Sequence, residues 1–126
     1  MIAHIGITID TPWTMLFAMI IMHAIADFPL QGAFLAQGKN RHLAHSEFQG
    51  EEPRALWFYC LSAHSLIQAG GVWLVTGNAM IAAVEFIVHW ALDYAKCEGW
   101  TNFHVDQLAH VLCKIGYVVY LSSLVS

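Results

Sequence analysis

In 126 residues the chain carries 58% hydrophobic residues and only 11% charged ones, for a mean hydropathy of +0.55. Soluble domains average about 25% charged residues, so this composition argues against an ordinary soluble globule, and it excludes disorder. Nine acidic residues against five Lys and Arg give a net charge of −4, which leaves no basic surface for a phosphate backbone and excludes nucleic acid as a partner.

The apolar residues fall into four blocks, at about 11–30, 55–76, 79–97 and 103–125, each near the roughly 20 residues that span a bilayer. All four are apolar around most of their circumference, whereas a soluble helix shows one apolar stripe. The expected fold is therefore all-α: a single polytopic domain, a bundle of four transmembrane helices. Thr11-Pro12 supplies an N-cap followed by proline at the first helical position, and Pro53 plays a comparable role before the second helix. Gly77-Asn78 reads as a tight turn, Gly99 as the stop of the third helix, and Thr101 or Asn102 as the cap of the fourth. With no basic n-region and no small-residue cleavage site, the first block is expected to stay in the mature protein rather than act as a signal peptide.

Segment 31–54 is the only long polar stretch, and its Ala33, Phe34 and Leu35 are expected at the interface. Lys39, Arg41, Arg54 and Lys96 all fall on the side of this connection. By the positive-inside rule that side is cytoplasmic and both termini lie outside, the arrangement of a multi-pass protein of a bacterial inner membrane. Cys60, Cys97 and Cys113 form no CxxC pair, so no disulfide framework is expected.

Charged groups inside a bilayer cost from about 3 kcal/mol upwards, so intramembrane ionisable residues are read as functional. The first block holds His23 and Asp27, the second His64, the third Glu85, His89 and Asp93, the fourth Asp106, His110 and Lys114. Except for His64, each follows a partner at i, i+4, on one helix face. Counting from the cytoplasmic ends at about 1.5 Å per residue, Asp27, Asp93 and Asp106 lie about 6 Å deep, His23, His89 and His110 about 12 Å, His64 about 15 Å, and Glu85 and Lys114 about 18 Å. The expected picture is a layer of three aspartates, a layer of four histidines, and a Glu85–Lys114 ion pair above them.

Imidazole nitrogens and carboxylate oxygens suit zinc first, with manganese or iron next. The expected metal ligands are His23, Asp27, His64, His89, Asp93, Asp106 and His110, around one or two divalent ions. Two divalent ions, three aspartates and one bridging hydroxide sum to zero charge, which favours two ions if Glu85 is neutralised by Lys114. The plainer alternative is that paired His and Asp only cross-link membrane helices. His4, His42, His45 and His104, at ends or in the connection, are given no metal role, and Met15, Met19 and Met22 are read as packing or lipid-facing groups.

The strings HAIADFPLQ at 23–31, AHSL at 63–66, HWALDYAK at 89–96 and DQLAH at 106–110 resemble those of an uncharacterised family of small phage and bacterial membrane proteins, known as a domain of unknown function. The resemblance covers nearly the whole chain. The His-Ser and His-x-x-x-Asp elements are also similar to inner-membrane proteins described as metal-dependent hydrolases. What the first resemblance implies is that Gln31, Lys39, Lys96 and Gln107 belong with the polar cluster.

The expected function is that of a membrane-embedded, metal-dependent hydrolase open toward the cytoplasmic leaflet, with metal-activated water as nucleophile and a lipid or lipid-linked phosphoryl or acyl substrate. Lys39, Arg41 and Lys96 stand where they could hold an anionic headgroup. A ferritin-like di-iron centre fits less well, because those bundles use Glu-x-x-His at i, i+3, whereas Glu85 and His89 are four apart. The competing classes are a transporter of protons or metal ions and a phage membrane effector that binds a host membrane protein around a structural metal.

Overall fold

The computed structural model describes residues 10–125. His4 lies outside the described residues. Five α-helices and no strand are present among them: α1 (Pro12–Asp27), α2 (Gly32–Gly38), α3 (Leu56–Thr76), α4 (Ala79–Cys97) and α5 (Phe103–Ser123), with a short 3-10 turn at Ser46–Phe48.

Local chemistry explains most ends. Thr11 caps α1 reciprocally: its hydroxyl accepts the Thr14 N–H at 3.1 Å, while the Thr14 hydroxyl accepts the Thr11 N–H at 3.1 Å. The expected first helix, 11–30, ends early at Asp27, because Pro29 has no N–H to continue the ladder and the Ile25 carbonyl is taken by the Leu30 N–H at 3.1 Å instead. After a turn through Gly32 at φ +62°, the chain re-enters a helix, α2, bent 83° from α1. That helix was hidden in the expected polar connection 31–54. Pro53 stands three residues before α3 rather than at its first position, and its carbonyl accepts the Leu56 N–H at 3.2 Å. Gly77 at φ +65° closes α3, the Asn78 side chain accepts the Ile81 N–H to start α4, and Asn102 does the same for α5 through Val105.

Four helices close into a ring, with α1 on α3, α3 on α4, α4 on α5 and α5 back on α1, while α2 lies against α3. The two-residue link at 77–78 and the five-residue link at 98–102 make neighbours antiparallel, as in an up-down bundle. The interior is split along its length. Around the end of the Gly77-Asn78 turn, Met19, Val72, Val75, Ile81, Tyr117 and Val118 form a dry cluster. Toward the other end the buried residues are polar, including His23, His64, Glu85, His89, Asp93, Asp106, His110 and Lys114.

The expectation of four membrane spans is met only in part. Among the described residues one helix, α3, is long and apolar enough to cross a membrane alone, and α1 qualifies only together with α2 as a bent pair. The physical reasons differ. At 16 residues α1 rises only about 24 Å, short of the roughly 30 Å hydrocarbon layer. α4 and α5 have the length, but they carry the buried charges Glu85, Asp93, Asp106 and Lys114, with the partly exposed Lys96, that lower their apolarity.

At Gly38, α2 meets α3 so closely that an added Cβ would collide with the buried Cys60 Sγ and stand 3.3 Å from His45 Cδ2. Gly38→Ala is expected to cost about 1–3 kcal/mol through overpacking. Adding Cys60→Ala should recover most of that loss in thermal denaturation, whereas equal melting temperatures for single and double variants would refute the contact.

Candidate metal centre

The four bundle helices bring their polar faces to one point. His64 Nε2 from α3 lies 3.2 Å from Asp27 Oδ1 of α1, 3.4 Å from Asp93 Oδ2 of α4 and 3.1 Å from His89 Nε2 of α4. His89 Nε2 is 3.7 Å from the same Asp93 oxygen. A tetrahedral ion with bonds of about 2.0–2.1 Å to nitrogen and oxygen has ligand-to-ligand edges of about 3.3–3.4 Å. The four distances straddle that value. His64 and His89 are 0% exposed, Asp93 1% and Asp27 9%, so these atoms are shielded from bulk solvent.

Hydrogen bonding alone leaves this cluster poorly satisfied. The His89 Nδ1 lies 3.2 Å from Glu85 Oε1, a carboxylate that can only accept, so Nδ1 carries the hydrogen and Nε2 presents a lone pair. His64 Nε2 has at most one hydrogen for three acceptors around it, and its own Nδ1 has no hydrogen-bond partner among the described residues. A cation between Asp27, His64 and His89 would engage the nitrogens that hydrogen bonding leaves over, with Glu85 as the carboxylate that fixes the tautomer and orientation of His89.

Glu85 is itself held inside the bundle, accepting from Lys114 Nζ at 2.6 Å and from the Tyr117 hydroxyl at 2.7 Å. A second group of atoms follows on α5: His110 Nε2 is 3.3 Å from Asp93 Oδ1 and 3.3 Å from Asp106 Oδ1. The rings of His89 and His110 stack with centroids 4.0 Å apart. Thus Asp27, His64 and His89 form one triad able to hold an ion, Asp93, Asp106 and His110 another, and Glu85, His89 and His110 a third.

His23, expected as a ligand, stands apart from these triads. Its Nδ1 faces Gln68 Oε1 and its Nε2 faces Gln107 Oε1, both at 3.2 Å, so both ring nitrogens are engaged by amides. Those amides in turn donate to Asp27, Gln68 at 3.1 Å and Gln107 at 2.8 Å. Lys39 and Lys96 also differ from the expected headgroup-binding bases. Lys39 is 6% exposed, donates to Asp93 Oδ2 at 2.7 Å and binds the Gln31 side-chain oxygen; Lys96 pairs with Asp106 Oδ2 at 3.0 Å. α2 exists to make this possible, since it turns the chain back so that Lys39 reaches into the bundle.

Gln68 and Tyr117 are the members that the sequence reading did not assign. Both carried a signal: Gln68 is i+4 from His64, filling the position where the other helices pair His with a carboxylate, and Tyr117 is i+3 from Lys114.

Outside the bundle core, Arg41 and His42 in the connection clasp Glu98 at the end of α4, with Arg41 Nη2 at 3.1 Å and His42 Nε2 at 2.9 Å. These hydrogen bonds, the Arg41 one foremost, draw the Glu98 carboxyl down to about 2. The clasp ties the loop after α2 to α4, above the site.

The chain matches, over residues 15–126, the family described as "Protein of unknown function (DUF3307)". It belongs to that family. No curated protein and no solved structure matches it. The family residues extend from within α1 to the end of the chain, so all the site residues lie inside the match.

Two outcomes are expected. Glu85→Gln or Lys114→Met alone should destabilise by about 3–5 kcal/mol, because each strands a buried charge, and the double variant should be milder than either; additive losses in denaturation would show that the pair is not coupled. For Glu98, a carboxyl held below its ordinary value of 4.5 contributes stability that is complete above that pH and lost as the pH falls toward about 2. The melting-temperature gap between wild type and Glu98→Gln should therefore be flat above pH 5 or so and close on acidification. A gap independent of pH across that window would contradict the clasp.

Proposed function

We propose that this protein is an integral membrane metal-binding protein, a metal-dependent hydrolase that acts on a lipid or lipid-linked substrate near the cytoplasmic leaflet. The observation that carries the reading is the buried triad of Asp27, His64 and His89, with Asp93 Oδ2 3.4 Å from His64 Nε2 and 3.7 Å from His89 Nε2 beside it. Zinc takes nitrogen and oxygen ligands together, and hydrolysis keeps one of its four positions for water, so three of these side chains hold it at a time; manganese and iron are the next choices.

Membrane location is supported by an inside-out distribution of side chains. The buried positions of the bundle are rich in charge, while Trp13, Phe17, Leu66, Trp73, Ile87 and Val119 are more than half exposed. Large apolar side chains exposed on all four bundle helices are what contact with lipid or with a partner would cover. The basic residues gather at the α2 end, which supports a cytoplasmic mouth by the positive-inside rule.

The lysines revise the charge balance. Asp27, Asp93 and Asp106 sum to −3, Lys39 and Lys96 restore +2, and Glu85 is matched by Lys114. One divalent ion with one hydroxide then brings the centre to zero, so a single resident ion is favoured over the two expected before the lysines were counted. A divalent ion supplies an activated water and polarises a phosphoryl or acyl oxygen. Around it, Glu85 orients His89, Gln68 and Gln107 orient Asp27, and Lys39 holds Asp93. Access is from the α2 end, where Lys96 is about one-fifth exposed and Gln31 and Gln107 are half-buried. Transport fits less well, because the polar interior stops at Glu85, Lys114 and Tyr117 and is sealed beyond them by Met19, Val72 and Ile81.

Protein purified in detergent should contain one equivalent of a transition metal. His89→Ala and Asp93→Asn should lose it and should lose hydrolysis of detergent-solubilised phospholipids, while Asp10→Asn, at an exposed position, keeps both. Equal metal content in all four proteins would contradict the assignment.

A further inference from the structure

Asp93 faces two ways. Its Oδ2 belongs to the centre just described, whereas its Oδ1 lies 3.3 Å from His110 Nε2, which is also 3.3 Å from Asp106 Oδ1. Asp106 is 2% exposed; Lys96 takes its Oδ2 at 3.0 Å, and among the described residues its Oδ1 meets only the His110 Nε2 that already bonds Asp93 Oδ1. A buried carboxylate oxygen left to share one donor with a second carboxylate is costly, and native structures rarely leave one. Here it is aimed at the same point as Asp93 Oδ1 and His110 Nε2. The two distances from His110 again match the edge expected around an ion with bonds of about 2.0–2.1 Å.

We propose that Asp93 Oδ1, Asp106 Oδ1 and His110 Nε2 form a second cation position, bridged to the first by the Asp93 carboxylate and filled together with a dianionic phosphate group. This inference rests on the first centre and extends it to a substrate class. The charge balance supplies the coupling. With three aspartates, Lys39 and Lys96, two divalent ions bring the interior to +3, and one hydroxide brings it to +2. A buried excess of that size is unfavourable on its own. A phosphomonoester dianion brings it to zero, whereas a neutral carboxylic ester leaves it unchanged. Metal pairs about 3.5–4 Å apart are suited to clamping the attacking and leaving oxygens of a phosphoryl group. The second position also lies toward Lys96, the partly exposed base at the α2 end, where an anionic group would enter.

The test is to dialyse the full-length protein in detergent against Co2+, with and without inorganic phosphate, and to read metal content together with the electron paramagnetic resonance spectrum. Ions joined by one carboxylate couple magnetically, whereas ions on surface histidines do not. Wild type should hold one uncoupled Co2+ without phosphate and a coupled pair with it. Asp106→Asn and His110→Ala, checked for unchanged helicity, should hold one uncoupled ion in both conditions. A single uncoupled ion in wild type that phosphate does not alter overturns the second position and leaves the first standing. Absence of bound Co2+ in either condition overturns both.

Discussion

The interior of this bundle must neutralise charge without water. Four carboxylates, on Asp27, Glu85, Asp93 and Asp106, are buried and meet three ammonium groups, those of Lys39 and Lys114 buried and that of Lys96 about one-fifth exposed. Isolated charges in such a medium are too costly to persist, and they survive only when paired or bound to metal. Pairing accounts for three of the four, and the remainder is a single negative charge beside the imidazoles. A divalent ion with its hydroxide would remove that remainder. The placement of almost every polar side chain in the core follows from this requirement.

The architecture serves it by dividing labour along the bundle axis. At one end apolar packing of Met19, Val72, Ile81 and Val118 holds the four helices together and closes the interior. At the other, side chains four residues apart on each helix point inward and meet across helices. α2 completes the arrangement: the break at Pro29 and Gly32 lets it fold back against α3 and deliver Lys39 to Asp93. The close contact of Gly38 with Cys60 fixes how deeply it sits. A centre sealed on the far side and reachable near Lys96 suits chemistry on a group presented from one face better than passage through the molecule.

Much of this was legible in the residues. The helix limits of α3 and α4 follow from Gly77, Asn78 and Gly99, and the meeting of Glu85 with Lys114 at 2.6 Å follows from counting depth along antiparallel helices. The i, i+4 spacing placed His89 with Asp93 and His110 with Asp106. The resemblance implied that Lys39 and Gln107 join the polar cluster; what could not be read was long-range: that a short helix lies within the polar connection and that the His23 nitrogens are taken by Gln68 and Gln107. Those outcomes depend on which side chain reaches a shared carboxylate first in three dimensions, and periodicity along one helix carries no record of that. The four-span expectation failed in part for a related reason, since the charges that build the centre are the ones that make α4 and α5 less apolar.

X-ray absorption spectroscopy at the zinc edge, on folded protein loaded with one equivalent of the metal, tests the central claim most directly. The account predicts a four-coordinate shell of nitrogen and oxygen at about 2.0–2.1 Å with the outer-shell scattering of two imidazoles, and loss of one imidazole in His64→Ala. A shell of water oxygens alone, or one that His64→Ala leaves unchanged, would contradict it.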